Sequence, residues 1–385
     1  MMLTKRKICV VITARPSYSR IKTALIALQK HPNIELQIVL AASALLERYG
    51  SAHLIIEQDG FDINAKVFNI IEGENLTSAA RTTGIGIVEL APVFERLKPD
   101  AVVTIADRFE TIATAIAASY MNIPLIHIQG GEVTGNIDEK VRHAITKLAD
   151  LHLVASPKAK ERVIKMGEHE TSVYLTGCPS IDIAKELDSE FTNELLEKYQ
   201  GVGNKIDINK PFLVVLQHPV TTEYESSRNQ IEVTLNAVHE SGIPTMWFWP
   251  NVDAGSDGTS KGIRIFREKH TTSNIFFLKN MEPQDFLMLL KKSACLIGNS
   301  SVGIRESAYL GVPVINIGSR QSGRERGDNV KDVAHDEAEL KAAIQLQINH
   351  GKYESSFIYG DGQAGEKIAQ VIAEAPLNFH KQLSY

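Results

Sequence analysis

Short, unbroken apolar runs alternate with helix-forming stretches along most of the chain, and this alternation restricts the fold more than any other feature. KICVVIT, IELQIVLAA, DAVVTIA and IPLIHI are such runs, and SRIKTALIALQKH is one of the stretches between them. Strands whose apolar residues are continuous belong to parallel sheets covered on both faces. The sequence therefore predicts an α/β fold of doubly wound, Rossmann-like type.

The alternation is interrupted once, by a polar stretch after Cys178, and resumes at PFLVVLQHP. A chain of 385 residues also suits two domains of ordinary size. We expect one domain over residues 1–185 and a second over 205–365. Ligands of open α/β sheets bind beyond the carboxyl ends of the strands, so the expected site is the cleft between the domains.

Composition excludes several classes of partner. The formal net charge of -5 gives no reason to expect binding to nucleic acid or to anionic membranes. No apolar stretch reaches 18 residues, and the run after MMLTKRK is too short for a signal peptide. The three cysteines are far apart and have no metal-ligand spacing, which favours buried thiols in a reducing compartment. We therefore expect a cytoplasmic protein.

Polar residues follow several of the predicted strands. Arg15 and Arg20 lie in VITARPSYSR, where a helix begins, and arginine forks at a helix N-terminus suit an anion. Asp107 and Arg108 end the strand of TIADRFE, and His218 ends that of VVLQHP. A capped helix with solvated arginines, and a structural histidine, are the alternatives for these positions.

The stretch HIQGGEVTGNIDEKVRH places titratable groups directly after a glycine pair at a strand end; among them are Glu132 and Asp138. In the second half, LIGNSSVGIRE resembles a phosphate cradle, because glycine allows close approach and hydroxyls donate hydrogen bonds. It lacks the lysine of a P-loop. The candidate ligand-binding residues of that half are Asn251, Ser300, Ser301, Gly303, Glu306 and Arg320.

The ordered motifs ARPSYSR, ADR, HIQGGEVTGNIDEKVRHAITKLA, GCPS, QHPVTTE, PNVDAGS, GNSSVGIRE, VPVINIGSRQSGRE and IYGDG cover nearly the whole chain. Together they resemble the hydrolysing UDP-N-acetylglucosamine 2-epimerases of sialic-acid-type biosynthesis, including the epimerase half of the animal bifunctional epimerase/kinase. The resemblance implies two Rossmann-like domains of the glycosyltransferase-B type. It also implies a last helix, over 366–385, that packs back on the first domain, and a homodimer.

The implied reaction uses neither metal nor cofactor. UDP leaves C1 as C2 loses its proton, and water then adds to the resulting 2-acetamidoglucal while C2 is reprotonated on its other face. That chemistry needs a base and an acid on opposite faces of the sugar. By motif, Asp107, Asp138 and His218 match catalytic positions of the family. Arg15, Arg20, Arg108, Ser300, Ser301, Glu306 and Arg320 match positions that bind UDP.

Two residues depart from the family pattern. Gln129 stands where HIEGGE has glutamate, and Ala106 stands where GDR has glycine. An amide cannot transfer a proton at neutral pH, so either Glu132 supplies the missing group or Gln129 only positions the sugar. Gln129 could also pair with an acetamido group at C4. A UDP-2,4-diacetamido-2,4,6-trideoxyhexose, of the legionaminic-acid type, is therefore an alternative substrate to UDP-N-acetylglucosamine.

Two other functions are compatible with the same residues. A glycosyltransferase of the same fold would use the same UDP site but also needs an acceptor. A nucleotide-sugar sensor without chemistry is the second, suggested by Gln129. Arg264 and Arg267 occupy the region where the animal enzyme binds its feedback inhibitor, CMP-sialic acid, although a solvated basic helix explains them more simply.

The position of Asp138 in its motif leads to the first prediction. If its carboxylate transfers the C2 proton, Asp138→Asn should lower turnover by roughly 10²–10⁴-fold and leave UDP affinity nearly unchanged. Steady-state kinetics and calorimetric titration with UDP measure the two effects. Near-normal turnover of the purified variant would remove Asp138 from the mechanism.

Overall fold

The chain folds into two α/β units. The computed structural model describes residues 5–46, 52–71, 76–105, 108–133, 137–250, 256–271, 274–378, 381–382 and 384. The first unit comprises Met1–Glu132, Ile137–Ile183 and Tyr359–Tyr385, and the second comprises Val133–Asn136 and Ala184–Ile358. The chain thus enters the second unit and returns to the first.

The first unit is built on a sheet in which the described residues form seven strands, all parallel. These strands are β1 Arg6–Ile12, β2 Ile34–Ala41, β3 Ile63–Val67, β4 Ala101–Ile105, β5 Leu125–Ile128, β6 Leu151–Val154 and β7 Val173–Leu175. Their order is β3-β2-β1-β4-β5-β6-β7. The direction of winding therefore reverses between β1 and β4, which is the position where sheets of this kind bind ligands.

Helices cover both faces of this sheet. They are α1 Arg15–Lys30, α2 Ala52–Gln58, α3 Leu76–Leu97, α4 Ile112–Tyr120, α5 Ile137–Leu148, α6 Pro157–Lys165 and α7 Pro179–Lys185. In α1 a proline occupies the first turn, where its missing N–H costs nothing, and Ile21, Leu25 and Leu28 form a buried stripe. Side chains of α3, α4 and α5 pack on the opposite face. The continuous apolar strands thus lie between two layers, as the sequence predicts.

The helix α15, Ala364–Glu374, belongs to the first unit and packs against α1. Asp182 fixes its start, because the carboxylate accepts hydrogen bonds from the backbone N–H groups of Ala364 and Gly365 at 2.8 and 2.7 Å. The same carboxylate accepts a hydrogen bond from Thr23 Oγ1 in α1 at 2.8 Å. A Cβ on Gly365 would lie 2.7 Å from the Thr23 carbonyl, so the two helices cross in backbone contact.

The second unit repeats the architecture with one exception. Its strands are β8 Gly201–Gly203, β9 Leu213–Leu216, β10 Thr245–Phe248, β11 Ile275–Leu278, β12 Cys295–Gly298, β13 Val314–Ile317 and β14 Val330–Val333. They pair in the order β14-β13-β12-β9-β10-β11-β8, and only β8, at one edge, is antiparallel among the described strands. The direction of winding reverses between β9 and β12.

The helices of the second unit are α8 Asn193–Glu197, α9 Ser227–Glu240, α10 Ser256–Lys269, α11 Pro283–Lys292, α12 Ser301–Ile304, α13 Glu306–Tyr309 and α14 Glu337–His350. Side chains of α9, α10 and α14 pack on β9–β13 and form one hydrophobic core with them, which includes the fully buried Trp247. In the described parts of the chain, no helix is both long enough and apolar enough to cross a membrane.

A buried carboxylate fastens the C-terminal residues to the first unit. The side chain of Glu168 is 3% exposed and accepts from Lys147 Nζ at 2.5 Å, His152 Nε2 at 3.0 Å and Lys381 Nζ at 2.6 Å. Lys381 also donates to the carbonyl oxygens of Thr146 and Ala149, at the end of α5. Burial alone would raise the pKa of the Glu168 carboxyl, but these hydrogen bonds outweigh it and lower the pKa to about 2.

Glu168→Gln should therefore destabilise the protein at neutral pH. A folded-state pKa below the unfolded value near 4.3 contributes stability above that value, and this contribution disappears as pH falls towards 2. A shift of this size corresponds to about 3 kcal/mol at pH 7. Urea unfolding at pH 7, 5.5 and 4 should show a difference between wild type and variant that narrows only at the lowest pH.

The matched control is Glu161→Gln on α6, because Glu161 is exposed and pairs with Lys165 within the same helix. Surface pairs of this kind contribute little, so its unfolding midpoint should stay near that of wild type. Equal effects of the two substitutions would contradict a stabilising role for Glu168.

Candidate functional site

The carboxyl ends of the strands beside both reversal points carry most of the predicted site residues. Arg15 follows β1 and Arg108 follows β4, so both lie at the reversal point of the first sheet. His218 follows β9 and Ser300 follows β12, so both lie at the reversal point of the second. In the first sheet, the parallel pairing of β1 with β4 places Arg15 and Arg108 at the same edge, although they lie 108 - 15 = 93 residues apart in sequence.

In the first unit, Thr13, which directly follows β1, contacts Thr111, which directly precedes α4, through a buried Oγ1–Oγ1 contact of 3.4 Å. Arg15 and Arg20 are half-buried on α1. Arg108 Nε donates to Glu110 Oε1 at 2.7 Å, and that carboxylate is almost wholly buried whereas Arg108 is partly exposed. A buried carboxylate thus orients a guanidinium at the surface of this edge. The sequence pattern does not single out Glu110, although it lies two residues after the ADR motif.

The residues after β5 form a buried turn in left-handed backbone conformations. Gln129 has φ +66° and Gly131 has φ +76°. A Cβ on Gly131 would lie 2.4 Å from the carbonyl oxygen of Ala159 in α6, so only glycine fits. A Cβ on Gly130 would lie 2.9 Å from His127 Nδ1. The two glycines therefore allow this turn to pack closely, Gly131 against α6 and Gly130 against His127 of β5 and Thr146 of α5.

The side chain of Gln129 is 2% exposed, and its Nε2 donates to Cys178 Sγ at 3.1 Å. Cys178 Sγ also lies 3.0 Å from Ser180 Oγ. The amide therefore has a partner inside the protein, which supports a positioning role better than direct reading of a sugar substituent. Glu132 is also buried, at 5% exposure.

Three predicted residues fall outside this description. Asp107 and Asn251 lie outside the described residues, as does Ala106. Asp138 belongs to the first turn of α5, and its side chain is likewise outside the described part of the structure. The assignments of Asp107, Asp138 and Asn251 therefore stay predictions.

In the second unit, Asn299 clamps the end of β9 to the end of β12. Its Oδ1 accepts from the His218 backbone N–H at 2.8 Å, and its Nδ2 donates to the His218 carbonyl oxygen at 2.8 Å. Just before it, Gly298 has φ +145°, and a Cβ there would lie 2.0 Å from the Leu216 carbonyl oxygen. The strand ends thus approach so closely that one side-chain amide satisfies both main-chain groups of His218.

The turn after β12 carries the predicted cradle. Ser300 is the N-cap of α12, and its hydroxyl accepts from the Val302 N–H at 3.5 Å. Gly303 faces β13, because a Cβ there would lie 3.0 Å from Val314. Within the described structure the buried Oε2 of Glu306 has no hydrogen-bond partner, which is unusual for a buried acceptor.

The turn after β13 adds cationic and amide groups to the same place. Arg320 Nη1 and Gln321 Nε2 both donate to the Asn299 carbonyl oxygen, at 3.2 and 2.9 Å. Ser319 donates to Glu223 Oε1 at 2.5 Å, which ties this turn to the residues that follow His218. Ser301, a predicted member, lies half-buried in the first turn of α12.

His218 is electrically neutral at physiological pH. Burial, together with the nearby Arg320 guanidinium, lowers the pKa of the imidazole to about 3. The ring therefore offers a neutral donor and a neutral acceptor, and it does not compete with Arg320 for an anion.

A separate cavity of about 480 Å³ lies in the second unit, beside the edge strand β8. Arg264 and Arg267 of α10 line it together with Lys279, and Arg267 lies over the Phe277 ring at 5.6 Å. Arg264 itself is exposed, so the solvated-helix interpretation holds for part of this face. Among the described residues, no group of three or more His, Cys, Asp or Glu side chains is placed to hold a metal ion.

Comparison with known proteins adds to this geometry. A model of the family described as UDP-N-acetylglucosamine 2-epimerase matches residues 26–373. A protein of Legionella pneumophila named UDP-N,N'-diacetylbacillosamine 2-epimerase (hydrolyzing) is 32% identical over 378 residues, which cover 98% of each chain. The polysialic acid biosynthesis protein P7 of Escherichia coli is 34% identical over 344 residues, which cover 89% of this chain and 86% of the relative.

Among solved structures, the UDP-GlcNAc 2-epimerase of Neisseria meningitidis bound to UDP-GlcNAc matches with a TM-score of 0.78. The match is 19% identical and covers 95% of this chain and 99% of that one. Together with the two sheets, this likeness confirms the predicted fold class, two Rossmann-like units of the glycosyltransferase-B type.

The Asn299 clamp yields a prediction about stability. Asn299→Asp keeps the acceptor for the His218 N–H but replaces the donor, leaving the buried His218 carbonyl oxygen opposite a carboxylate oxygen. Loss of a buried partner costs about 1–3 kcal/mol, so the urea midpoint should fall. Asn349→Asp, the same change at an exposed position of α14, should leave it unchanged. A stable Asn299→Asp protein would show that the clamp is dispensable.

Proposed function

The chain belongs to the UDP-N-acetylglucosamine 2-epimerase family, and on that premise we propose that it is a hydrolysing 2-epimerase of a UDP-linked 2-acetamido sugar. The leading substrate is UDP-N-acetylglucosamine, converted with water to N-acetylmannosamine and UDP for sialic-acid-type biosynthesis. The observation that carries the proposal is the polar edge at the second reversal point, where Ser300 and Glu306 follow β12, Arg320 follows β13 and the clamped His218 follows β9.

This edge suits UDP. The pyrophosphate is at least doubly negative, and a guanidinium with nearby hydroxyls stabilises such a charge as it leaves. The Glu306 carboxylate, whose Oε2 has no partner among the described residues, is the proposed acceptor for the ribose hydroxyls, which must donate. His218, held neutral by burial, can share a hydrogen bond with the substrate without adding charge.

The first unit supplies the groups that move the C2 proton in this proposal. In the elimination step, a carboxylate takes the proton from C2 while the C1–oxygen bond breaks and its electron pair leaves with UDP. Water then adds at C1, and a proton returns to C2 on the opposite face. Asp107, Glu132 and Asp138 are the candidates for these transfers.

A second substrate candidate follows from a specific observation. The Legionella pneumophila relative, which spans nearly the whole chain, is named for UDP-N,N'-diacetylbacillosamine, a sugar with a second acetamido group. The corresponding UDP-2,4-diacetamido-2,4,6-trideoxyhexose is therefore the alternative substrate here. Gln129 lends this alternative less support than its sequence position suggests, because its amide N–H group is bonded to Cys178.

The decisive experiment incubates the protein with each UDP-sugar separately, without any acceptor, and identifies the products by mass spectrometry and NMR. Release of UDP with a free sugar inverted at C2 supports the proposal, and the ratio of kcat/KM values identifies the substrate. Transfer that requires an added acceptor would instead indicate a glycosyltransferase. Tight UDP binding without turnover of either sugar would indicate a sensor.

Gln129 and Glu132 give a paired prediction on the two sugars. Because the Gln129 side chain is buried against Cys178, Gln129→Glu should change turnover of both sugars by the same factor. Glu132→Gln should lower turnover by roughly 10²–10⁴-fold if Glu132 transfers a proton. Selective damage to the diacetamido sugar by Gln129→Glu would restore the idea that this residue reads C4. Full activity of Glu132→Gln would exclude it as an acid.

A further inference from the structure

Arg142 is an almost completely buried cation that no step of the proposed reaction uses. It lies on α5 at 2% exposure, four residues after Asp138. Its Nη1 donates to the main-chain carbonyl oxygen of Glu132 at 2.8 Å. From the other side, Arg162 of α6 donates through Nη1 to the carbonyl oxygen of Gly131 at 3.2 Å. Two arginines on different helices thus hold consecutive carbonyl groups of the turn that contains Glu132.

Burying a guanidinium is costly unless its hydrogen bonds are well made. The Glu132 carbonyl group is buried and bonded to a buried arginine, so a hydrogen bond to bulk water does not replace this contact. The turn itself is under conformational constraint, with Gln129 and Gly131 both at positive φ and Gly131 pressed against α6. A rigid, multidentate donor is suited to holding such a turn in one conformation.

Arg142 also joins this turn to the helix that carries Asp138. The body of α5 is fixed to β5 by the buried contact of Thr146 Oγ1 with His127 Nδ1, at 3.2 Å. With the helix anchored there, the Arg142 hydrogen bond sets the distance between the backbone of Glu132 and the first turn of α5. That distance matters when one group must act at each face of a single carbon atom.

We propose that Arg142 is a positioning residue that holds Glu132 in register with Asp138 through the Glu132 carbonyl group. The proposal rests on the function proposed above and extends it. In this proposal Arg142 acts through the Glu132 carbonyl group and not on the substrate. It keeps the two carboxylate-bearing segments in the relative position that lets reprotonation of C2 follow elimination before the unsaturated sugar escapes.

The test compares Arg142→Lys and Arg142→Met with wild type. The lysine keeps the charge but not the fork, and the methionine keeps most of the volume without the charge. A misplacement of about 1 Å can cost about 10²-fold in rate, so we expect kcat to fall by roughly 10²-fold in Arg142→Met and by roughly 10-fold in Arg142→Lys. KM and the dissociation constant for UDP should stay within about twofold of wild type, because phosphate binding does not involve Arg142.

A second readout separates positioning from general damage. If elimination and reprotonation lose their register, the 2-acetamidoglucal should appear as a larger fraction of the product of Arg142→Met. Arg96→Met, at an exposed position of α3, is the control and should match wild type in rate, products and melting temperature.

The measurements distinguish a positioning role of Arg142 from a purely structural one. Unchanged kcat and products in either Arg142 variant would overturn the proposal. So would a loss of rate that parallels lost UDP affinity without added glycal, since that pattern indicates a structural role alone. If Arg142→Met does not fold, Arg142→Lys decides by the same two readouts. Failure of the wild-type protein to turn over any UDP-sugar would instead refute the proposed function.

Discussion

Parallel strand pairing is the constraint on which the rest of the structure depends. It brings the carboxyl ends of the strands in each sheet to one edge, so that residues far apart in sequence become neighbours. The winding direction reverses between β1 and β4 and again between β9 and β12, and open α/β sheets generally bind ligands at such reversal points. Most of the predicted site residues follow the strands beside these two places, and the others follow further strands of the same sheets.

At the second of these places, and in the turn after β5, polar side chains pair main-chain groups that strands and helices pair elsewhere. A turn after a strand has main-chain groups without ladder partners, and these must be satisfied if they are buried. Asn299 does this for His218, and Arg142 and Arg162 do it for the turn after β5. Loops held in this way present their functional groups without a conformational search, which is the condition for electrostatic catalysis.

The sequence predicts the two α/β units and the loops that carry the site because both follow from local patterns of apolar and polar residues. It does not predict the antiparallel edge strand β8, since Gly201–Gly203 has no apolar run and pairs only because glycine lets it approach β11. Nor does it reveal that Gln129 bonds Cys178, which lies 49 residues away. Asn299 lies inside the GNSSVGIRE motif, but its role depends on hydrogen bonds to His218, which lies 81 residues earlier in the chain.

The position of α15 has a consequence for how the protein is made. The helix supplies Ile368 and Ile372 to the core of the first unit, and its N-terminus is bound by Asp182. On the ribosome, these residues emerge only after the whole second unit has been synthesised. The first unit therefore cannot complete its core as it leaves the exit tunnel, and the second unit can finish folding before it, against the usual N-terminal-first order.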